Sequence, residues 1–399
     1  MRILDEVLKV LKKIGTILLL CLFLLGIYLS LGKKSKITVS FVDENGTKLV
    51  VDSKSYTGKV GMLLLPKKLE REVPGYTPTK KLIFFKSKNQ TLTLKFKSKN
   101  YNKEIKSLKE AKYVGTTFQP MTVEVKHGWQ QDPYNTARVY DGRKTGKDSL
   151  RVLYSNDGIN WKKLNVSYPK VNLRDPSIAK INGYWYIIYT KGLVRTKDFR
   201  KWEHLKWNHA NEFVNRYEWA PEFVRDKVGK WHVVMAGMSK VTRNFQLYIS
   251  NFNPQTGEVT NDWQKVVLSN APNNAIDANI QYANGKYILF YKNEDLATNK
   301  IAMATSDNLL GPYGSKQQNI DLGQNNVGAE GPEALISGKD MTLYIDTYQF
   351  RGNPRNNNNV YYDGLHFTRL INGKWTNLSK VNAPILIRHF SIWKNVNTP

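Results

Sequence analysis

The sequence predicts an all-β protein: a five-bladed β-propeller set behind an N-terminal transmembrane helix and a small β domain. Three observations carry this. A strand-turn-strand pattern recurs along the C-terminal two thirds of the 399 residues. Aromatic residues crowd into short runs such as "GYWYIIYT" and "GKYILFYK", compositions that favour strands. A single long apolar run near the start stands apart from everything after it.

That run, residues 14–32, "IGTILLLCLFLLGIYLSLG", has the length and apolarity of a membrane span. Arg2, Lys9, Lys12 and Lys13 precede it and Lys33, Lys34 and Lys36 follow it, so charge asymmetry gives only a weak orientation. No small-x-small cleavage site follows, which favours an uncleaved anchor over a signal peptide. Cys21, the single cysteine, lies inside the run with no small residues before it. A lipoprotein anchor is therefore disfavoured, and no disulfide is available to the rest of the chain. Residues 1–35 are expected to be a cytoplasmic tip and membrane anchor, with all that follows outside the cell.

Residues 36–98 form a lysine-rich unit. "ITVSFVDENGTKLVVD" alternates apolar and polar residues on both sides of Asn45-Gly46, a hairpin signature, and "QTLTLKFKSK" places Leu92, Leu94 and Phe96 on one face. With "TGKVG" and "VPGYTP" between them, the unit resembles the MucBP-like repeats of bacterial surface proteins. That resemblance implies a spacer or an attachment module at a cell wall. Residues 99–112 read as a polar, basic linker. The formal charge is +27, yet the lysines are scattered and no finger, helix-turn-helix or RNA-binding signature accompanies them. The charge points to adhesion to an anionic cell-wall polymer or surface rather than to nucleic acid.

From residue 113 to 399 the pattern repeats. "LRDPSIAKINGYWYIIYT", "WAPEFVRDKVGKWHVVMA", "IDANIQYANGKYILFYK" and "EGPEALISGKDMTLYID" each comprise an apolar strand, a Gly-containing turn and an aromatic strand. Their spacing of roughly 45–55 residues suits four-stranded propeller blades. "YSNDGINWKKL", "VRTKDFRKWEHL", "ATSDNLLGPY" and "YYDGLHFTRL" are expected to close the blades. A fifth blade is expected from both ends of this region, with "PILIRHFSIW" joining strands from 138–164, because closure removes exposed sheet edges.

Three carboxylates then fall into register. Asp175 precedes Gly183 by eight residues, Asp277 precedes Gly285 by eight and Glu330 precedes Gly338 by eight. Equal offsets on neighbouring inner strands would bring them to one opening. Such crowding is unfavourable electrostatically, and it splits carboxyl pKa values into the protonated and ionised forms that acid–base chemistry uses.

In order, the blade entries "RDPSI", "WAPE", "IDANI", "EGPE" and "RHFSI" make the chain resemble glycoside hydrolase family 43, the arabinofuranosidases, arabinanases and xylosidases built on a five-bladed propeller. The resemblance implies hydrolysis with inversion. It makes Asp175 the general base, Glu330 the general acid and Asp277 the group that orients Glu330 and raises its pKa. It implies a polysaccharide or oligosaccharide substrate, with Trp219, Arg388 and His389 as substrate-binding residues; the alternative for Trp219 is a core position. No cofactor is required, though some relatives carry a metal near the histidine equivalent to His389. Glu222 and Glu333 are expected to make strand-entry hydrogen bonds. Two departures bear on specificity: Ala278-Asn279 follows Asp277 where Pro is common, and Phe390, following His389 in place of Gly, is expected to narrow the channel.

Two other readings have footing in the residues. "QQDPYN" around Asp132 together with "RDP" fits a β-fructosidase-type hydrolase, although its Glu-Cys acid has no counterpart here. A non-catalytic glycan-binding propeller at the cell surface would also explain the basic charge, but the three carboxylates are intact. The setting implied is the face of a Gram-positive bacterium.

Overall fold

The computed structural model describes residues 11, 13–22, 24, 32–50, 52–120, 148–295, 300–317, 319–320, 322, 327–350 and 360–395. Of the expected anchor, residues 13–22 are helical and exposed, and the remainder of 14–32 lies largely outside the described residues. No helix among the described residues is long and apolar enough to cross a membrane. The chain divides into two compact units, which meet in sequence near residues 99–100.

The first unit is a four-stranded sheet with spatial order Lys54–Lys59, Lys34–Val42, Gln90–Ser98, Tyr76–Pro78. The chain turns at Asn45-Gly46, where Gly46 has φ 86° and Val42 bridges Lys48. Lys34–Val42 runs parallel to Gln90–Ser98. A parallel pair needs a long crossover, and that crossover carries a helix, Pro66–Glu72, whose Leu69 is buried beside Ile37, Val39, Phe41 and Phe96.

The expected linker is instead a helix, Tyr101–Glu110. Tyr101, Ile105 and Leu108 share one face and pack with Val114, Phe118 and Leu150 of the second unit. Its lysines and glutamates dilute that stripe, so composition concealed it.

That helix belongs to the second unit, the rest of which is all-β and propeller-like. The first blade comprises Ser177–Ile181, Tyr184–Tyr189, Gly192–Thr196 and Glu203–Leu205. In the second, Val214–Arg225, Trp231–Ser239 and Phe245–Asn253 are followed by the short strands Glu258–Val259 and Gln264–Lys265. The third blade is Ala275–Ala283, Lys286–Asn293, Lys300–Ser306 and Gly314–Gln317. The fourth is Val327–Ser337, Asp340–Phe350 and Val360–Ile371, with Lys374–Trp375 and Ser379–Lys380. In the fifth, Ser391–Lys394 forms the inner strand against Tyr113–Pro120, followed by Asp148–Ser155 and Lys162–Lys163. The chain thus joins the end of the ring to its beginning, and the five inner strands touch in cyclic order.

A separate apolar cluster fills each junction between blades. Val234, Leu247, Ile280 and Leu289 lie between the second and third blades, and Trp161, Tyr344, Leu365 and Phe390 between the fourth and fifth. Three tight turns use Asn-Gly with both residues at positive φ: Asn182-Gly183, Asn284-Gly285 and Asn372-Gly373. This chemistry matches the twist of a two-residue hairpin. The expected blade-closing motif at "YYDGLHFTRL" is different. It lies within the strand Val360–Ile371, where Gly364 accompanies a slip in pairing.

Phe390 does not narrow the channel. It is buried edge-on against Trp161 at 4.8 Å, between blades. Its ring occupies the space above Gly115, where an added Cβ would lie 2.1 Å from Phe390 Cζ. Gly115→Ala is therefore expected to destabilise the propeller by about 1–3 kcal/mol through overpacking. Thermal denaturation should show its melting temperature lowered by roughly 2–4 °C per kcal/mol. An unchanged melting temperature would show that the Phe390 ring can yield.

Candidate active site

Each of the five inner strands has a left-handed residue within it or two residues ahead of it: Asp175 (φ 51°), Ala220 (φ 47°), Asp277 (φ 53°), Gly331 (φ 57°) and His389 (φ 41°). In the second, third and fourth blades pairing slips at this point, between Trp219 and Glu222, Ile276 and Asn279, and Glu330 and Glu333. Bulges re-aim side chains, and left-handed non-glycine residues cost of order 1–3 kcal/mol each. Their recurrence at one level marks this end of the ring as the candidate site.

The eight-residue offsets conceal a difference in register. Gly183 and Gly285 are the second residues of their two-residue turns, enclosed by Ile181↔Tyr184 and Ala283↔Lys286. Gly338 is the first residue of a turn enclosed by Ser337↔Asp340. Asp175 and Asp277 thus occupy the left-handed position itself, and Glu330 stands one place before it. Gly331 takes that position because a Cβ there would come within 3.1 Å of His389.

The three carboxylates differ in their surroundings. Asp277 is buried, and its Oδ2 accepts the Gly331 N–H at 3.0 Å, which fixes the backbone next to Glu330. Burial pushes its carboxyl up to about 6; His389 and Lys292 oppose the rise, while Glu330 and Asp175 add to it. Asp175 Oδ2 accepts from Thr190 Oγ1 at 3.0 Å, and its Oδ1 lies 3.9 Å from His389 Nδ1.

Glu330 does not have the raised pKa expected of it. Burial pushes it upward, but Lys292 and Arg388 outweigh burial and hold it well below the usual carboxylate range. Lys292 Nζ lies 3.1 Å from Oε2 and Arg388 Nη2 3.1 Å from Oε1. In this geometry Asp277 carries the higher proton affinity of the two. Two adjacent cations override one neighbouring anion.

Arg388 also lies 3.5 Å from Asp346 Oδ2 and over the Tyr362 ring, 3.5 Å from its centroid. Asp346 is fully buried, which pushes its carboxyl well above the ordinary range. Trp219 is not a core residue. It is 38% exposed, stacked on Phe245 at 4.2 Å with Tyr217 edge-on. Sequence reasoning missed Lys292, Asp346, Tyr362 and Thr190. A signal for Asp346 was present as the lone acid in the apolar run "LYIDTY", and for Lys292 as the charge ending "KYILFYK".

Two residues beyond each left-handed position lies a polar belt: Ser177, Glu222, Asn279, Glu333 and Ser391. Glu222 Oε1 accepts from Ser177 at 2.8 Å and Ser391 at 3.1 Å. Asn279 Nδ2 donates to Glu333 at 2.7 Å, and Ile392 N–H donates to the other oxygen at 2.9 Å. Burial pushes Glu222 up to about 7, and burial with the Glu222 charge pushes Glu333 well above its ordinary value. A cavity of 660 Å³ reaches Glu222, Asn279, Glu333 and Ser391 and is lined by none of the three catalytic candidates.

Among the described residues no group of three or more His, Cys, Asp or Glu side chains is arranged to hold a metal ion. The described surroundings of His389 therefore do not fit a protein-ligated metal. Asp132 lies outside the described residues.

No curated protein matches the chain. Among solved structures it is similar to a thermostable family-43 glycoside hydrolase, at 12% identity and TM-score 0.44, covering 59% of this chain and 86% of that one. It is also similar to an endo-1,4-β-xylanase from Bacteroides thetaiotaomicron, at 13% identity and TM-score 0.43, covering 63% and 90%. The α-L-arabinanase of Cellvibrio cellulosa complexed with arabinohexaose matches at 15% identity and TM-score 0.42, covering 60% and 95%. The profile of glycosyl hydrolases family 43 matches residues 134–364, more than half of the chain. On that match, the chain belongs to glycosyl hydrolase family 43.

Proposed function

We propose that this glycoside hydrolase cleaves an α-L-arabinofuranoside, or a related furanoside or xyloside, in a polysaccharide by single displacement with inversion. Asp175 activates the water, Glu330 protonates the departing oxygen, and Asp277 orients Glu330. The observation that carries this reading is the Asp277 carboxylate held on the Gly331 N–H. It ties the central carboxylate to the backbone beside the acid, so the two move as one piece. Asp175 and Glu330 come from the first and fourth blades, which are not neighbours in the ring. An inverting mechanism needs a gap of about 6.5–9.5 Å for its water. The exposed face of the Trp219–Phe245 stack offers a platform for a sugar ring, and Arg388 and His389 line the same end.

Residues 14–32 anchor the protein in the cell membrane with the hydrolase outside. The 36–98 unit serves as a MucBP-like spacer that can also adhere to anionic wall polymer, and the cell is a Gram-positive bacterium. A surface glycan of that cell is as suitable a substrate as a plant polysaccharide. Alkaline extraction of membranes tests the anchor, since a peripheral protein would be released.

The test of activity uses the full-length protein on nitrophenyl furanosides and pyranosides and on arabino- and xylo-oligosaccharides. Proton NMR of the fresh product should show the anomer opposite to the substrate's. Retention would refute single displacement, and a folded protein inert across the panel would refute the substrate class.

A further inference from the structure

Lys292 is the penultimate residue of the strand Lys286–Asn293 and is 4% exposed. A buried ammonium requires partners, and Lys292 has two. Glu330 Oε2 lies at 3.1 Å and Glu294 Oε1 at 2.7 Å. Glu294 reaches solvent, its side chain 33% exposed against 16% for Glu330. The other oxygen of Glu330 is held by Arg388. Both oxygens of the acid thus face cations, and neither is free to hold a proton toward a leaving group.

The other groups facing Glu330 do not relieve this. Tyr362 hydrogen-bonds to its carboxylate. Asp346 pairs with it across the strands, and Asp277 approaches from the third blade with His389 and Asp175 beyond. Arg388 is fixed by Asp346, by the Tyr362 ring and by the Phe118 ring at 5.1 Å. Lys292 alone is a flexible cation with a second carboxylate already in contact.

Resting on the reading of Glu330 as the acid, we propose that Lys292 is a positioning residue: it holds Glu330 as a carboxylate before substrate binds and passes to Glu294 when Glu330 takes up its proton. The balance closes. Solvent supplies one proton to Glu330, Lys292 keeps its own charge, and Glu294 neutralises it. When the proton leaves on the glycosidic oxygen, Glu330 returns to a carboxylate and recovers Lys292.

The test is a carbon NMR titration of the full-length protein carrying ¹³C at the glutamate δ-carbons, with Glu330 assigned as the signal lost in Glu330→Gln. In Lys292→Met the Glu330 titration should rise by at least about one pH unit, and Lys292→Arg should restore it. The alkaline limb of kcat/KM on the best panel substrate should move up in Lys292→Met. In Glu294→Gln, which leaves Glu330 as the one carboxylate paired with Lys292 among the described residues, it should move down. Static charges alone would also give these two variants opposite signs; the hand-over requires in addition that the wild-type Glu294 signal shift together with the Glu330 titration, and a Glu294 signal unmoved across that titration overturns it. An unmoved Glu330 signal in Lys292→Met overturns the hand-over alone. Full activity in Glu330→Gln overturns the acid reading and the hand-over with it.

Discussion

Asp175→Asn is expected to lower kcat on the order of 10³-fold, within the range that general base catalysis supplies, while leaving KM nearly unchanged. Asn preserves the shape, can still accept from Thr190 Oγ1, and tolerates the φ of 51° at this position as few other residues do. It loses only the capacity to take a proton from water. Alanine would add backbone strain and blur the result. Glu330→Gln makes the complementary case. It removes the proton donor, so its effect should be largest on an unactivated oligosaccharide and smaller on a nitrophenyl glycoside, whose leaving group needs little protonation. The base variant should lose a similar factor on both. Steady-state kinetics of the two variants on the two substrates decide this, and an Asp175→Asn enzyme within tenfold of wild type would sink the assignment.

The largest expected effect on stability comes from the polar belt. Glu222 is raised from 4.5 to about 7 in the folded chain, so between those values the native state binds more protons than the unfolded state. The sign follows. Its contribution is fully present below about 4.5 and is lost as pH rises through about 7, a swing of about 3 kcal/mol. Gln at 222 mimics the protonated acid: its oxygen accepts from Ser177 and Ser391 while its amide can donate to Glu333. Glu222→Gln should therefore match wild type near pH 4.5 and exceed it by up to about 3 kcal/mol near pH 8. Guanidinium denaturation of the propeller transition at both pH values measures this. Parallel pH dependence in the two proteins would show that Glu222 is not the titrating group.

How much of this was legible depended on which interactions are local. The Asn-Gly turns and aromatic strands announce themselves within a few residues, and so did the blades. The family assignment likewise followed from short entries in order. The helix Tyr101–Glu110 was missed because its apolar stripe, Tyr101, Ile105 and Leu108, is embedded in charged residues and finds its partner only in the folded ring. Counting back from the turn glycines brought out Asp175, Asp277 and Glu330, yet it misplaced Glu330 by one step. Gly338 opens its turn whereas Gly183 and Gly285 close theirs. The electrostatics of Glu330 were not legible at all. They depend on Lys292, 38 positions away in the chain, and Arg388, 58 positions away, whose approach only blade packing determines.

The pairing of Ser391–Lys394 with Tyr113–Pro120 also sets the timing of synthesis. The strand that latches the ring leaves the ribosome long after its partner, and Arg388 and His389 leave immediately before it. A nascent chain therefore has neither a closed ring nor a complete site until almost the whole domain has been made. Formation of that pairing therefore both closes the ring and completes the proposed site. A prematurely terminated copy would lack this strand and be left with an unpaired sheet edge, a mark by which a protease could tell it from the finished fold.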